Sequence, residues 1–200
     1  MADGLSKSEK TRQRILDAAA KIFRDQGYAN ARLADIAELA GMQTGSLYYH
    51  FDSREALVTE ILRLGIETSW RHVREAIAAL PPDASAIDRL AAAIRAHTLS
   101  VVKTGDYSSA QARIVGQVPV EVAKAHHADQ RDYGAYWNEL FAAAVVSGDV
   151  RPDIDIFVAR MLVLGALNWT SEWYKPGRGP TADEIADLAV TMALSGLTVG

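Results

Sequence analysis

Between Leu33 and Phe51 two short apolar-periodic segments flank a glycine, and this spacing constrains the chain more than any other feature. Leu33, Ile36, Ala37 and Ala40 recur at helical spacing, and Gly41 then offers a turn position where positive φ costs little. A third short helix is expected from Thr44 to His50, with Leu47 and Phe51 facing inward. Helix, glycine turn and helix within so few residues has the size of a helix-turn-helix unit, and Ala37 is the small residue needed where the helices cross. The inward anchors leave the other side of the second helix open. Gln43, Thr44, Ser46 and His50, with Gly45 among them, then form a side able to donate and accept hydrogen bonds at base edges. Tyr48, Tyr49 and Arg54 suit phosphates, which fix register without reading sequence. The plainer alternative is that Tyr48, Tyr49 and His50 only pack a small helical domain.

Charge alone does not decide between these readings. The net charge is −4, yet residues 1–55 balance eight basic against eight acidic side chains, so the acidity belongs to the remainder. Lys7, Lys10, Arg12 and Arg14 begin a local basic face on that neutral segment. A chain of 200 residues, 49% hydrophobic and 23% charged, is expected to be globular, and without cysteine it has no disulfide, thiolate metal site or cysteine nucleophile. The polar Met1–Lys10 stretch lacks the apolar core of a signal peptide, and Ile156–Leu167 is too short to span a bilayer. A cytoplasmic protein with no membrane partner is expected.

The rest also reads as helix, so the expected fold class is all-α. Ile15, Ala18, Ala19, Ile22 and Phe23 mark the first helix, which Gly27 closes. Ser53 is a candidate cap for a long fourth helix to Leu80, stopped by Pro81-Pro82 and roughly 40 Å in length. Further helices are expected near 84–103, 106–115, 120–146 and 154–174, and Thr181-Ala182-Asp183-Glu184 is a capping-box pattern opening the last. The expected division is a DNA-binding domain over 1–54 and a ligand-binding and dimerisation domain over 55–200.

The run Gly27-Tyr28 followed by Asp35-Ile36-Ala37-Glu38-Leu39-Ala40-Gly41-Met42-Gln43-Thr44-Gly45-Ser46-Leu47-Tyr48-Tyr49-His50-Phe51-Asp52-Ser53-Arg54-Glu55-Ala56-Leu57 resembles the N-terminal DNA-binding domain of the TetR family. The resemblance implies a homodimeric repressor that binds a palindromic operator and releases it when a small molecule binds. It places base and phosphate contacts at Thr44 and Ser46, backbone contacts at Tyr48 and Tyr49, and a basic phosphate contact at Arg54. The chain departs from the pattern where the second helix starts: Ala31 and Arg32 replace the usual Thr-Ser/Thr pair, and Ala34 a basic residue. Arg32 is then expected to take over a phosphate contact, with Asn30 as a displaced cap.

In the larger part, Tyr107, Arg113, Tyr133, Trp137, Phe141, Asn168 and Trp169 give an aromatic set with a few polar groups, the chemistry of a small-molecule pocket. Any one of them could equally be core, and Arg113 either pairs an anionic ligand or faces water. Gly165-Ala166 lets helices approach closely, and the last helix is apolar on two faces, so Met161, Gly165, Leu188 and Met192 are expected in a dimer interface. The stretch Trp169-Thr170-Ser171-Glu172-Trp173-Tyr174-Lys175-Pro176-Gly177 resembles a segment of TetR regulators of fatty, aromatic and steroid acid catabolism. That resemblance implies an acyl-CoA thioester as effector. No protein-bound cofactor, catalytic residue or metal site is expected.

Two other readings stay open. One is a chromosome-organising or protein-interaction module without ligand. The other is a metal-dependent enzyme built on His126, His127 and Asp129, for which no third ligand stands at suggestive spacing.

Overall fold

A computed structural model describes residues 6–103 and 105–198; residues 1–5 of the polar N-terminal stretch lie outside it. The described residues fold into helices α1 (Lys7–Asn30), α2 (Leu33–Leu39), α3 (Thr44–Tyr48), α4 (Arg54–Ala78), α5 (Ala86–Lys103), α6 (Gly105–Ile114), α7 (Val120–Val146), α8 (Ile156–Trp173) and α9 (Ala182–Leu197). None of them is long and apolar enough to cross a membrane. The only strand-like pairing among the described residues is a single bridge, Val150 to Thr198.

Local chemistry sets most of these bounds. Thr181 and Glu184 form the expected reciprocal box at α9, and the Ser53 hydroxyl accepts from the Ala56 N–H at 3.0 Å. Comparable boxes open α1 at Ser6 and Glu9 and α5 at Ser85 and Asp88, and the Asp155 carboxylate caps α8. Gly27 ends the regular part of α1 with φ +73°, a conformation any side chain would strain, before one further turn to Asn30.

The described residues pack as two compact units, residues 6–65 with 106–129, and residues 66–103 and 105 with 130–198. In the first, Ile15, Ala19 and Phe23 of α1, Ile36 of α2, Leu47 of α3 and Leu57 and Ile61 of α4 are fully buried together with Ile114 of α6. In the second, α5 packs on α8 and α9, and Leu90, Ile94, Trp137 and Phe141 are buried at its centre. At about 2 kcal/mol for each large apolar side chain removed from water, burial of this kind is what holds each unit.

Candidate nucleic-acid interface and effector region

The reading head is built by anchoring α3 from below. Leu47 and Phe51 are buried, and the chain leaves α3 through hydrogen bonds from the His50 and Phe51 N–H groups to the Leu47 carbonyl, at 2.9 and 3.0 Å. Gly41 takes φ +68°, and the Met42 N–H returns to the Ala37 carbonyl at 2.9 Å, closing the turn over the small Ala37. With one side fixed, the other is free. Gln43, Gly45, Ser46 and Tyr48 are exposed, Thr44 and His50 are half-buried, and Tyr49 is 86% exposed with its ring edge-on to His50 at 5.3 Å.

Arg54 begins α4 with its guanidinium 3.9 Å from the centre of the Tyr28 ring, while the Tyr28 hydroxyl donates to the Glu55 carboxylate at 3.0 Å. Arg54 Nε and Nη2 are buried without a hydrogen-bond partner. A cation so held needs an anion or water for its remaining donor capacity. Arg32 is exposed and is itself the residue before α2, which has no side-chain cap. Asn30 is not the displaced cap expected: its side chain donates back to the Gln26 carbonyl at 3.3 Å, because the last turn of α1 offers that acceptor nearby.

In the second unit, His97 stands between two of the residues singled out from sequence. Its Nδ1 lies 3.0 Å from the Tyr133 hydroxyl and its Nε2 lies 3.1 Å from Asn168 Oδ1. Because a carboxamide oxygen only accepts, Nε2 carries the proton and the tyrosine hydroxyl donates to Nδ1. Burial holds the His97 pKa down at about 4, so the ring is neutral. Trp137 meets His97 edge-on and packs on Phe141, and Trp70 and Tyr136 complete the aromatic group around Tyr133. Asn168 itself is exposed, as is Trp169, so the polar chain runs from the core of the unit to the outer side of α8.

Tyr107 and Arg113 are not brought into this cluster. They belong to the first unit, where the Tyr107 hydroxyl donates to Asp17 at 2.8 Å and Arg113 is exposed. Sequence reasoning missed His97, Trp70 and Tyr136. It also missed a second polar group in which Ser69 and Ser100 lie 3.1 Å apart with His72 at 3.2 Å from Ser100.

The apolar residues expected at an interface are on the outside of α8 and α9. Met161, Leu188 and Met192 are each more than half exposed, with Phe157, Leu162 and Trp169 alongside, and a side chain at Gly165 would meet open space. Arg160 lies over the Phe157 ring and against Gly134, where a β-carbon would strike its guanidinium. His126 is buried and neutral, its pKa lowered by burial to about 4. Among the described residues no three His, Cys, Asp or Glu side chains are gathered to hold a metal ion.

A buried-anchor helix-turn-helix head with a separate helical unit defines a class: DNA-binding regulators with an all-α partner domain. Residues 15–61 match the family model described as "Bacterial regulatory proteins, tetR family", and residues 83–197 the one described as "Tetracyclin repressor-like, C-terminal domain". The chain belongs to the TetR family and is a transcriptional regulator. Over 207 residues it is 31% identical to the HTH-type transcriptional repressor KstR2 of Rhodococcus jostii strain RHA1, covering 98% of this chain and 95% of that protein. The ketosteroid transcriptional regulator KstR2 of Mycobacterium tuberculosis has the same fold, with a TM-score of 0.84 over the whole of both chains at 22% identity. AibR, solved in complex with isovaleryl coenzyme A and operator DNA, superposes with a TM-score of 0.77 at 28% identity, covering 91% of this chain and 97% of AibR. These findings favour neither the ligand-free chromosome-organising module nor the metal-dependent enzyme.

Proposed function

We propose that the protein is a repressor that binds a two-fold symmetric operator as a homodimer and releases it when an acyl-CoA thioester binds. The observation that carries the DNA half is the exposed polar side of α3 over a buried Leu47–Phe51 base. Gln43, Thr44, Gly45, Ser46 and His50 meet base edges; Arg32, Tyr48, Tyr49 and Arg54 meet phosphates. The exposed apolar side of α8 and α9, including Met161, Gly165, Leu188 and Met192, is the surface that pairs two copies. Residues 1–54 carry the reading task and residues 55–200 the sensing and pairing.

Two copies read successive major grooves when their recognition helices sit about 34–36 Å apart. An effector acts by binding better to a dimer with another separation, and it weakens DNA binding by that differential affinity and no more. The ligand surface is assigned to Tyr133, Trp137, Phe141, Asn168 and Trp169, with His97 joining them. Support for the thioester class comes from the Trp169–Gly177 segment and from AibR, which was solved with isovaleryl coenzyme A.

Selection of bound sequences from randomised duplexes tests the first half. Inverted half-sites one helical turn apart are expected; an asymmetric consensus or none contradicts the reading. A panel of short-chain, aromatic and steroid CoA thioesters tests the second, with a raised melting temperature and loss of bound DNA expected for at least one. A flat response across the panel contradicts the effector class and leaves the DNA reading standing.

A further inference from the structure

Gln117, in the turn between α6 and α7, is separated by almost ninety residues from the end of α1, yet it closes that end. Its carboxamide oxygen accepts from the backbone N–H of Tyr28 at 3.0 Å and of Ala29 at 3.3 Å. Its amide nitrogen donates to the Arg113 carbonyl at 2.9 Å, which fixes which way round the carboxamide sits. The need for this cap follows from Gly27. Once the chain turns left-handed there, the N–H groups of the next residues leave the α1 ladder and begin a new turn with orphan donors. Gln117, remote in sequence, supplies an acceptor to both. A β-carbon at position 27 would lie 3.0 Å from the same carboxamide oxygen, so the bare backbone at Gly27 is also what lets Gln117 approach.

What Gln117 holds is the residue that carries Arg54. The Tyr28 ring lies under the Arg54 guanidinium at 3.9 Å, and the Tyr28 hydroxyl bonds the neighbouring Glu55. Resting on the reading that Arg54 meets a DNA phosphate, we infer that Gln117 is a positioning residue for DNA binding: it fixes the Tyr28 backbone, and Tyr28 in turn holds Arg54 in place. The α6–α7 turn thereby controls one phosphate contact of the head. Any shift of that turn that withdraws the carboxamide frees Tyr28 and returns Arg54 to water.

The test measures binding of the full-length protein to a generic B-form duplex and to a selected one across a salt series, for wild type, Arg54→Ala, Gln117→Leu and the double variant. Loss of one phosphate contact in each protomer removes two from the proposed dimer and lowers the slope of log affinity against log salt by about 2, equally for both duplexes. Gln117→Leu is expected to reproduce the slope change of Arg54→Ala, and the double variant to show no further loss. Gln117→Glu keeps the acceptor and is expected to keep the wild-type slope. Should Gln117→Leu melt well below wild type, Gln117→Glu decides the matter. A wild-type slope in Gln117→Leu, multiplied losses in the double variant, or a lost slope in Gln117→Glu overturns the inference. Failure of the underlying DNA reading has a different signature: wild type and Arg54→Ala would share a slope near zero, which overturns both.

Discussion

The imidazole of His97 and the phenol of Tyr133 are joined at 3.0 Å inside the second unit, with the tyrosine as donor and the far ring nitrogen spoken for by Asn168. Both rings are buried, so neither can exchange its partner for water without opening the unit. Tyr133→Phe leaves a buried nitrogen unpaired and is expected to cost about 1–3 kcal/mol. Urea denaturation checks this, and a loss below about 0.5 kcal/mol would mean the bond contributes little.

The same geometry fixes a pH dependence. His97 has a folded pKa of about 4 against an ordinary value of 6.5, so the folded state refuses a proton that the unfolded chain accepts. Stability is therefore full above pH 6.5 and falls as pH drops from there towards 4, by on the order of 3 kcal/mol for this group. His126 adds to the same fall, since burial lowers its pKa likewise. Denaturation midpoints at stepped pH are expected to show a smaller acid loss in His97→Gln than in wild type. An unchanged slope would remove His97 as its source.

Gly27→Ala forces a side chain into φ +73° and crowds the Gln117 carboxamide. The expected destabilisation is about 1–3 kcal/mol, read by thermal melting. Gly41 also has positive φ, but its β-carbon would meet nothing within 4 Å. Gly41→Ala is therefore expected to lose the conformational part alone and to melt above Gly27→Ala; the reverse order would contradict the crowding argument.

Much of the fold was legible because helix ends carry their own punctuation. Ser53, Thr181 with Glu184, and Gly27 act within a turn of where they stand, so a linear reading finds them. The exposed side of α3 was legible for the same reason: Leu47 and Phe51 are close in sequence, and burying both fixes what faces out. Long-range partners left no such trace. Tyr107 was grouped with the aromatic set by composition, yet its hydroxyl meets Asp17, a partner ninety residues away. His97 lies in an alanine-rich helix where nothing local distinguishes it from a spacer, and Gln117 caps a helix to which it does not belong. Asn30 failed as a cap because spacing alone did not show that its own helix would claim its side chain.

The outer face of α8 and α9 is tested by charge. Leu188 and Met192 are 58% and 70% exposed on one side of α9, so a glutamate at both is expected to leave the folded unit intact. Sedimentation is expected to show Leu188→Glu/Met192→Glu as a monomer with weakened operator binding. A dimer of undiminished stability would move the interface elsewhere.

The central claim is that the outward side of α3 reads DNA, and Thr44→Ala/Tyr49→Ala addresses it most directly. Fluorescence anisotropy with a duplex selected by the wild-type protein, at fixed salt, is expected to show binding reduced to that of unrelated DNA while the melting temperature stays at the wild-type value. Undiminished affinity for the selected duplex in the folded double variant would contradict it.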